Sequence, residues 1–515
     1  MNHLHPRRRP SSMAGIAAAV LLLLATGTDP VARAGTPRFD DVFTGRTMRV
    51  DLYHTGGPGP EILSLDRVVD DGAWAGSRTR LLDTTNLGTS FFEVVDVASK
   101  RVIYSRGFAS VYGEWATTPE ARKTHRTFSE SLRLPWPRRP VRITLEKRGP
   151  DQEFHKIWTT FIDPGSRSVN PSPRPPEVGV EALIENGPPA TKVDLVIVAD
   201  GYTARQMPKF RADAARLVRA LFAEPPFSER RSDFNVWLLP LPVAVAGISR
   251  PQVGRFRRNR LGTTFNIFDS ERYLLTLDDR ALRDAASAAP YEFVEILVNE
   301  KQYGGGGIFN AQAATSVDSE FAEYVFVHEF GHHFAALADE YYTSPVAYET
   351  GGPARPEPWE PNITALADPA RLKWGDLVEP GTPVPTPWEK KRYEDHARLM
   401  GEKRQALIDA HAPEAEFDAL FRRQRAIETG MLSGMRYSHT VGAFEGASYE
   451  ATGLFRPTTD CIMFSRDRVG FCPVCRRAIS RIIDLYARPE PAPAGHPAAV
   501  SARPRNPPGS PAPAD

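Results

Sequence analysis

The chain has 515 residues, of which 41% are hydrophobic and 25% are charged. These values predict a soluble globular protein of two or three domains. The formal net charge of +1 gives no reason to expect a nucleic acid or an anionic membrane as partner. After the first 34 residues, no apolar stretch is long enough to span a bilayer, so we expect no stable membrane insertion. The oligomeric state is left open.

Residues 1–34 have the pattern of a signal peptide. Arg7–Arg9 form a basic segment, and an apolar segment follows from Met13 to Ala25. Ala32-Arg33-Ala34 fits a small-x-small cleavage site. A membrane anchor is the alternative, but the apolar segment is short for a span. We therefore expect an exported protein, periplasmic or secreted after cleavage.

Residues 35–164 are predicted to form an all-β sandwich domain. Apolar residues alternate in short runs such as Val141-x-Ile143-x-Leu145, and turn signals such as Gly56-Gly57-Pro58-Gly59 separate the runs. No catalytic constellation is recognisable here. A Pro-rich linker is predicted over 165–190.

Residues 191–487 are predicted to form an α/β catalytic domain. A mostly apolar strand is followed by an amphipathic helix and two further strands, which is the order of βαβ units. These elements are predicted at Val193–Ala199, Pro208–Phe222, Phe234–Leu241 and Phe293–Val298.

Three further segments of this domain and its tail have distinct patterns. Gly304 to Gly307 lacks the Gly-Lys-Ser/Thr of a phosphate loop, so a loop beside the cleft is favoured, followed by an edge strand over Asn310 to Val317. Trp388 to Met431 is charged and helical, with a solvated face. The Pro- and Ala-rich tail, 488–515, is predicted to be disordered.

The motif His328-Glu329-x-x-His332 lies in a run whose apolar residues recur at helical spacing. Side chains at i and i+4 lie one above the other on a helix, so both histidines can bind one ion. Glu329 is rotated away and can serve as general base toward a water. A charged surface turn is the alternative, but the apolar flanks favour a buried site with one catalytic Zn²⁺.

A catalytic zinc needs a third protein ligand. His333 adjoins His332 and points about 100° away, so a surface or packing role is favoured. The metzincin pattern is HExxHxxGxxH/D. This chain departs from it, because an alanine stands where the glycine is expected and another alanine stands where the third ligand is expected. A shift of one residue makes Ala336 the turning residue and Asp339 the ligand, with Glu340 as runner-up. Asp339 as a helix cap is the alternative.

The three cysteines lie close together near the C-terminal end of the sequence. Cys461, Cys472 and Cys475 suggest one disulfide and an odd thiol, with the pairing open. Cys472-x-x-Cys475 could instead be half of a small metal knuckle or a redox pair, but the structural disulfide is favoured. Between Asp460 and Met463, the chain is similar to the Met-turn beneath the metal in metzincins.

With these motifs in place, the chain resembles the IgA-peptidase family of bacterial zinc metallopeptidases (metallopeptidase family 64). The resemblance implies an α/β metzincin-like zinc peptidase domain preceded by an all-β sandwich domain. It also implies one zinc, Glu329 as catalytic base and Asp339 as third ligand, but no particular substrate. The matching segments are Ile197–Thr203, Phe234–Val236, His328–Tyr342, Val441–Ala447 and Cys461–Met463.

These patterns predict an exported zinc-dependent endopeptidase that acts on a protein or peptide substrate. His328, His332 and Asp339 are the predicted metal ligands and Glu329 is the predicted base. The alternative is an extracellular binding module whose metal is structural, since the β domain and the unknown substrate leave that function open. A non-peptide amide substrate is a third possibility.

Overall fold

The computed structural model describes residues 37–343 and 356–487. The predicted signal peptide, 1–34, and the predicted disordered tail, 488–515, lie outside the described residues.

The first domain is a β sandwich. Two four-stranded sheets, in the orders β5-β1-β2-β8 and β4-β3-β6-β7, enclose one apolar core. In β6 the buried residues Val141, Ile143 and Leu145 alternate with partly exposed polar residues, as a half-buried strand requires. The elements are α1 (Phe39–Val42), β1 (Phe43–Gly56), β2 (Ile62–Ala73), β3 (Ser90–Asp96), β4 (Val102–Phe108), α2 (Val111–Trp115), β5 (Arg126–Pro137), β6 (Val141–Arg148), β7 (Phe154–Ile162) and β8 (Val169–Asn170).

The second domain is built on a six-stranded mixed sheet in the order β13-β14-β12-β10-β11-β9. The four inner strands are parallel, and β9 and β13 run antiparallel at the two edges. The elements are β9 (Glu181–Ile184), β10 (Val193–Asp200), α3 (Met207–Leu221), β11 (Phe234–Leu239), α4 (Asp279–Ala286), β12 (Phe293–Val298), β13 (Gly305–Ile308), β14 (Gln312–Ser316), α5 (Ala322–Ala335), α6 (Lys390–Asp409), α7 (Glu414–Ser433), β15 (Phe444–Ala447), β16 (Glu450–Arg456) and α8 (Pro473–Ala487).

The central strand β10 is buried along its whole length because both faces of the sheet are covered. Leu195 and Ile197 share a core with α3, α5 and α8. Val196 and Val198 pack on the opposite side with α4. The predicted βαβ order is therefore present, and α5 lies against the sheet with the HExxH motif.

Three segments differ from their predictions. β9 lies inside the predicted linker, 165–190, and pairs with β11. The strand predicted over 310–317 is present as β14, but its predicted edge position is wrong: β14 lies between β12 and β13, and β13, which contains most of the glycine run, is the edge strand. Because α5 passes so close, a Cβ on Gly307 would come within 2.3 Å of the Glu329 carbonyl oxygen. The predicted helix over 388–431 is two helices, α6 and α7.

The two domains are joined by hydrogen bonds and by ion pairs. The Ala109 N–H donates to the Phe309 carbonyl at 2.9 Å, and Asn310 donates to the Gly107 carbonyl at 3.0 Å. These contacts hold α2, the short helix after β4, beside the end of β13. The sandwich therefore borders the region that contains the HExxH helix.

Candidate metal centre

The two histidines of the motif are held one helical turn apart on α5. Their Nε2 atoms lie 3.1 Å from each other. α5 ends at Ala335, and Ala336 adopts a left-handed conformation with φ of 55°. This reversal, at the residue predicted to turn the chain, leads the following segment back under the histidines.

Asp339 completes a triangle of donor atoms. Its Oδ1 lies 3.0 Å from Nε2 of His328 and 3.2 Å from Nε2 of His332. Burial by itself would raise the pKa of Asp339, but the adjacent imidazoles hold it well below its usual range. The geometry thus brings together the three residues predicted as ligands.

The remaining ring nitrogens fix the orientation of both imidazoles. Nδ1 of His328 donates to the Ile462 carbonyl at 2.9 Å, and Nδ1 of His332 donates to the Leu337 carbonyl at 2.5 Å. In the neutral form each ring keeps its proton on Nδ1, so both Nε2 lone pairs and the Asp339 carboxylate can face one ion. Such an arrangement of acceptors fits a cation, and histidines that bind metals usually donate their other N–H in this way. The residues therefore fit zinc.

Glu329 lies on the same helix beside the donor triangle and borders the cleft. Gly305 of β13 faces it so closely that a Cβ there would stand 3.0 Å from Oε1 of Glu329. Burial raises the pKa of the Glu329 carboxyl, and the two histidines partly oppose this shift. A carboxyl whose pKa moves toward neutrality is suited to take up and release a proton.

His333 has a packing role, one of the two roles considered for it. The side chain is fully buried. Its Nδ1 donates to the Ile308 carbonyl at 2.9 Å, and its Nε2 accepts from the Val294 N–H at 3.1 Å. Burial lowers the pKa of His333 to about 3, so the ring is neutral and joins α5 to β12 and β13.

The segment around Met463 lies beneath the helix. Met463 is fully buried, and a Cβ on Gly331 would stand 3.0 Å from its sulfur. The Met463 carbonyl accepts from the Glu340 N–H at 2.8 Å. Together with the Ile462 carbonyl, this turn supports both the first histidine and the segment that carries Asp339.

Glu340, the runner-up ligand, lies elsewhere. Its carboxylate is fully buried and points toward the cysteines, with Oε1 3.2 Å from the sulfur of Cys475.

All three cysteines are free thiols, so the expected disulfide is absent from the structure. The Cys461 and Cys475 sulfurs lie 3.9 Å apart, which is contact without a covalent bond.

Two tyrosines border the donor triangle. The Tyr449 hydroxyl contacts Oδ2 of Asp339 and lies 3.4 Å from the Tyr341 hydroxyl. The Tyr341 ring is parallel to His328, with ring centres 6.2 Å apart. Tyr449 is on the turn between β15 and β16, so only tertiary structure brings it to the ligand.

The site opens into a cleft of about 1190 Å³ whose walls come from both domains. The sandwich supplies Glu114 and the segment 117–120, and no sequence pattern predicts that they lie near the motif. Glu114 contacts the hydroxyl of Tyr273 in the second domain. Glu114 lies in α2 and the segment 117–120 follows it, so the position of both depends on how the two domains dock.

Two family models match the chain. The model described as Peptidase M64 N-terminus matches residues 38–159. The model described as IgA Peptidase M64 matches residues 181–483, which is more than half of the chain. The chain belongs to the IgA peptidase M64 family.

This family confirms the predicted relationship and implies a peptidase, a hydrolase that acts on protein or peptide substrates and depends on a metal. It also supports the two-part architecture of an N-terminal domain and a peptidase domain. No curated protein matches this M64 chain. Among the described residues, none of the helices combines the length and apolar character needed to cross a membrane.

Proposed function

We propose that this chain is an exported zinc-dependent endopeptidase with a metzincin-like catalytic domain. The observation that carries the proposal is the triangle of two imidazole nitrogens and one carboxylate oxygen, 3.0–3.2 Å apart, beside Glu329. The left-handed turn at Ala336 and the buried Met463 beneath the helix support the metzincin-like part. The export part rests on the signal pattern of residues 1–34.

His328, His332 and Asp339 would hold the zinc ion, which supplies Lewis-acid polarisation of a carbonyl and of water. Glu329 takes a proton from the attacking water and returns it to the leaving amine nitrogen. The Ile462 and Leu337 carbonyls keep the imidazoles oriented.

Tyr449 acts as a positioning residue. Its hydroxyl contacts the second carboxylate oxygen of Asp339, so it orients the carboxylate that faces the two histidines. The neighbouring Tyr341 hydroxyl lies 3.4 Å from that of Tyr449 and extends this pair along the cleft.

The cleft fits an extended peptide. Its volume of about 1190 Å³ exceeds that of a typical pocket for a small molecule. The edge strand β13 runs along it, with Gly305 and Gly307 in the wall. At Gly305 the outer edge is already paired, because the Leu274 N–H donates to its carbonyl at 3.1 Å. Substrate pairing with β13 would therefore use the part around Gly307.

A metal-stabilised binding module is the competing function. A structural zinc site has four protein donors, whereas a catalytic site keeps one position open. Within the described residues, this donor cluster has three members and borders the cleft. That donor set favours catalysis.

The test of catalysis is the Glu329→Gln substitution in the mature chain. We expect zinc content to stay at the wild-type level while cleavage of a diverse peptide library falls by about 10²–10⁴-fold, because the general base is lost. Glu323→Gln, on the first turn of the same helix, is the matched control and should cleave like wild type. Equal cleavage by wild type and Glu329→Gln, or none by either, would contradict the proposal.

The test of the third ligand is Asp339→Ala. Loss of an outer partner of a metal ligand weakens binding by roughly 10–100-fold, so loss of Asp339 itself should cost at least about 100-fold in zinc affinity. Competition with a chelator measures this change. Asp318→Ala, a carboxylate that pairs with Lys209 at 2.8 Å, is the control. Unchanged zinc retention in Asp339→Ala would remove this residue from the ligand set.

A further inference from the structure

A second cluster of metal-binding side chains lies in the core beside the first. Its donor atoms, all within 4.8 Å of one another, come from Glu340, Cys461, Cys472 and Cys475. Glu340, Cys461 and Cys475 are fully buried, and Cys472 is 6% exposed. In the described part of the chain, Oε2 of Glu340 has no hydrogen-bond partner. A buried carboxylate oxygen without a partner is costly, so this atom points to a missing ligand.

The spacing of the donors fits a tetrahedral ion. A Zn–S bond of about 2.3 Å places two sulfurs of a tetrahedral site roughly 3.8 Å apart. The Cys461 and Cys475 sulfurs lie 3.9 Å apart, and the Cys475 sulfur lies 3.2 Å from Oε1 of Glu340. A disulfide between two of the cysteines would leave one thiol unused and Oε2 of Glu340 still without a partner.

Backbone N–H groups are directed at the sulfurs. The Cys472 N–H donates to the Cys461 sulfur at 3.3 Å, and the Cys475 N–H donates to the Cys472 sulfur at 3.5 Å. Such hydrogen bonds stabilise the negative charge of a thiolate. Cys472 immediately precedes α8 and Cys475 lies in its first turn, where the positive end of the helix dipole also favours thiolates.

We propose that Glu340, Cys461, Cys472 and Cys475 form a second metal site, a closed structural zinc site with three thiolates and one carboxylate. The four donors leave no open position, as is typical of structural zinc. Cys472-x-x-Cys475 is then the half knuckle considered from sequence. Its missing half is supplied by one cysteine and by the residue that follows Asp339.

This second site is coupled to the first through adjacent residues. Glu340 follows Asp339, and Cys461 precedes Ile462, whose carbonyl orients His328. Zinc bound between Glu340 and Cys461 would therefore hold in place the two segments that carry Asp339 and Ile462, and both segments support the donor triangle. The inference does not depend on the proposed peptidase activity, because a structural site requires no catalysis at its neighbour.

The main test is the zinc content of the purified mature chain, measured by elemental mass spectrometry. We expect two zinc ions per wild-type chain, one for each donor cluster. The His328→Ala/His332→Ala variant should keep one, and Cys472→Ser/Cys475→Ser should also keep one. Glu428→Gln removes a different buried carboxylate and should keep two. A wild-type chain with a single zinc that is lost with the histidines would overturn the inference.

A second measurement works if the cysteine variant does not fold. Cobalt(II) replaces zinc in wild-type protein, and thiolate ligands give an intense near-ultraviolet charge-transfer band that His/Asp ligands do not give. The band should persist in His328→Ala/His332→Ala and should shift in Glu340→Gln. Its absence would contradict the site.

Thiol titration under denaturing, non-reducing conditions separates the metal site from a disulfide. In denaturant with a chelator present, we expect all three cysteines to react, because none of them is in a disulfide. A single reactive thiol under denaturing conditions would show a disulfide and would overturn the proposal.

Discussion

Two adjacent carboxylates in this chain have separate surroundings. Asp339 faces His328 and His332, whereas Glu340 faces Cys475 and accepts from Asn362 at 3.0 Å. The two neighbouring side chains thus reach different partners, so one short segment can serve two clusters. The sequence left open which of the two carboxylates is the third ligand. In the structure Asp339 lies with the histidines and Glu340 lies with the cysteines.

A buried histidine of the sandwich has strongly altered acid–base properties. Nδ1 of His54 lies 3.0 Å from Glu130, Nε2 lies 2.7 Å from Glu61, and the ring stacks on Tyr112 at 3.5 Å. Burial disfavours the imidazolium, but the two carboxylates outweigh this effect and raise the pKa of His54 to about 9. Burial would raise the pKa of Glu61, but its hydrogen bonds with His54 and with Lys147, which lies 2.6 Å away, lower it to about 2.

We predict a pH-dependent loss of stability from this histidine. Because its pKa is raised from 6.5 to about 9, its contribution is full below pH 6.5 and is lost as the pH rises through about 9. The contribution is about 3 kcal/mol. In His54→Gln, the fall in unfolding temperature between those pH values should be much smaller. The exposed His155→Gln is the control, and an unchanged pH profile in His54→Gln would contradict the prediction.

At the scale of elements, α5 is the organising helix. It packs against α3, α8 and the strands β12, β13 and β14. Apolar residues occupy most of its faces, as expected of a helix buried on nearly all sides. Its close approaches require glycine in two places, in β13 and at Gly331 above Met463. The glycines therefore allow α5 to pack closely against β13 and against the turn that contains Met463.

Gly331→Val should disturb this packing. A Cβ would stand 3.0 Å from the Met463 sulfur and 3.1 Å from Phe471, so the larger side chain should lower the free energy of unfolding by about 1–3 kcal/mol. Zinc affinity should fall too, because the displaced turn orients His328. Gly430→Val, in α7 with no atom within 4 Å of its Cβ, is the control and should not destabilise. Denaturant unfolding measures the stability of both variants. Equal free energies of unfolding for Gly331→Val and Gly430→Val would refute the packing argument.

At the scale of the whole molecule, charges hold the sandwich on the peptidase domain. Asp284 of α4 contacts the buried Arg49, and it also pairs with Arg67 at 2.8 Å and Arg174 at 2.7 Å. Arg49 is otherwise held by Asp51 and Asp71 within the sandwich. This explains why both faces of β1 are buried: one faces the sandwich core and the other faces the second domain.

Asp284→Ala should weaken the domain contact by about 1–3 kcal/mol, because a buried guanidinium loses a charged partner. The expected results are a lower unfolding temperature and faster proteolysis in the segment that joins the domains. Asp66→Ala is the control: its partner Arg280 is 41% exposed, so we expect about 0–1 kcal/mol. Similar effects of the two substitutions would show that Asp284 has no special role.

The sequence by itself determined the features that depend on local periodicity. Alternation predicted the sandwich, the apolar run predicted β10, and helical spacing placed the two histidines one turn apart with Glu329 beside them. Each of these follows from residues close in the chain, where backbone geometry fixes the relation between side chains.

Only the tertiary structure decided the rest. His328 meets Ile462 across 134 residues, and Glu340 meets Cys475 across 135. The position of Glu114 in the cleft depends on the docking of two domains. Such contacts arise from the packing of whole elements, which no short-range pattern encodes. The HExxH helix could thus be predicted from the sequence alone, whereas the placement of Asp339 and Glu340 in two different clusters became visible only in the tertiary structure.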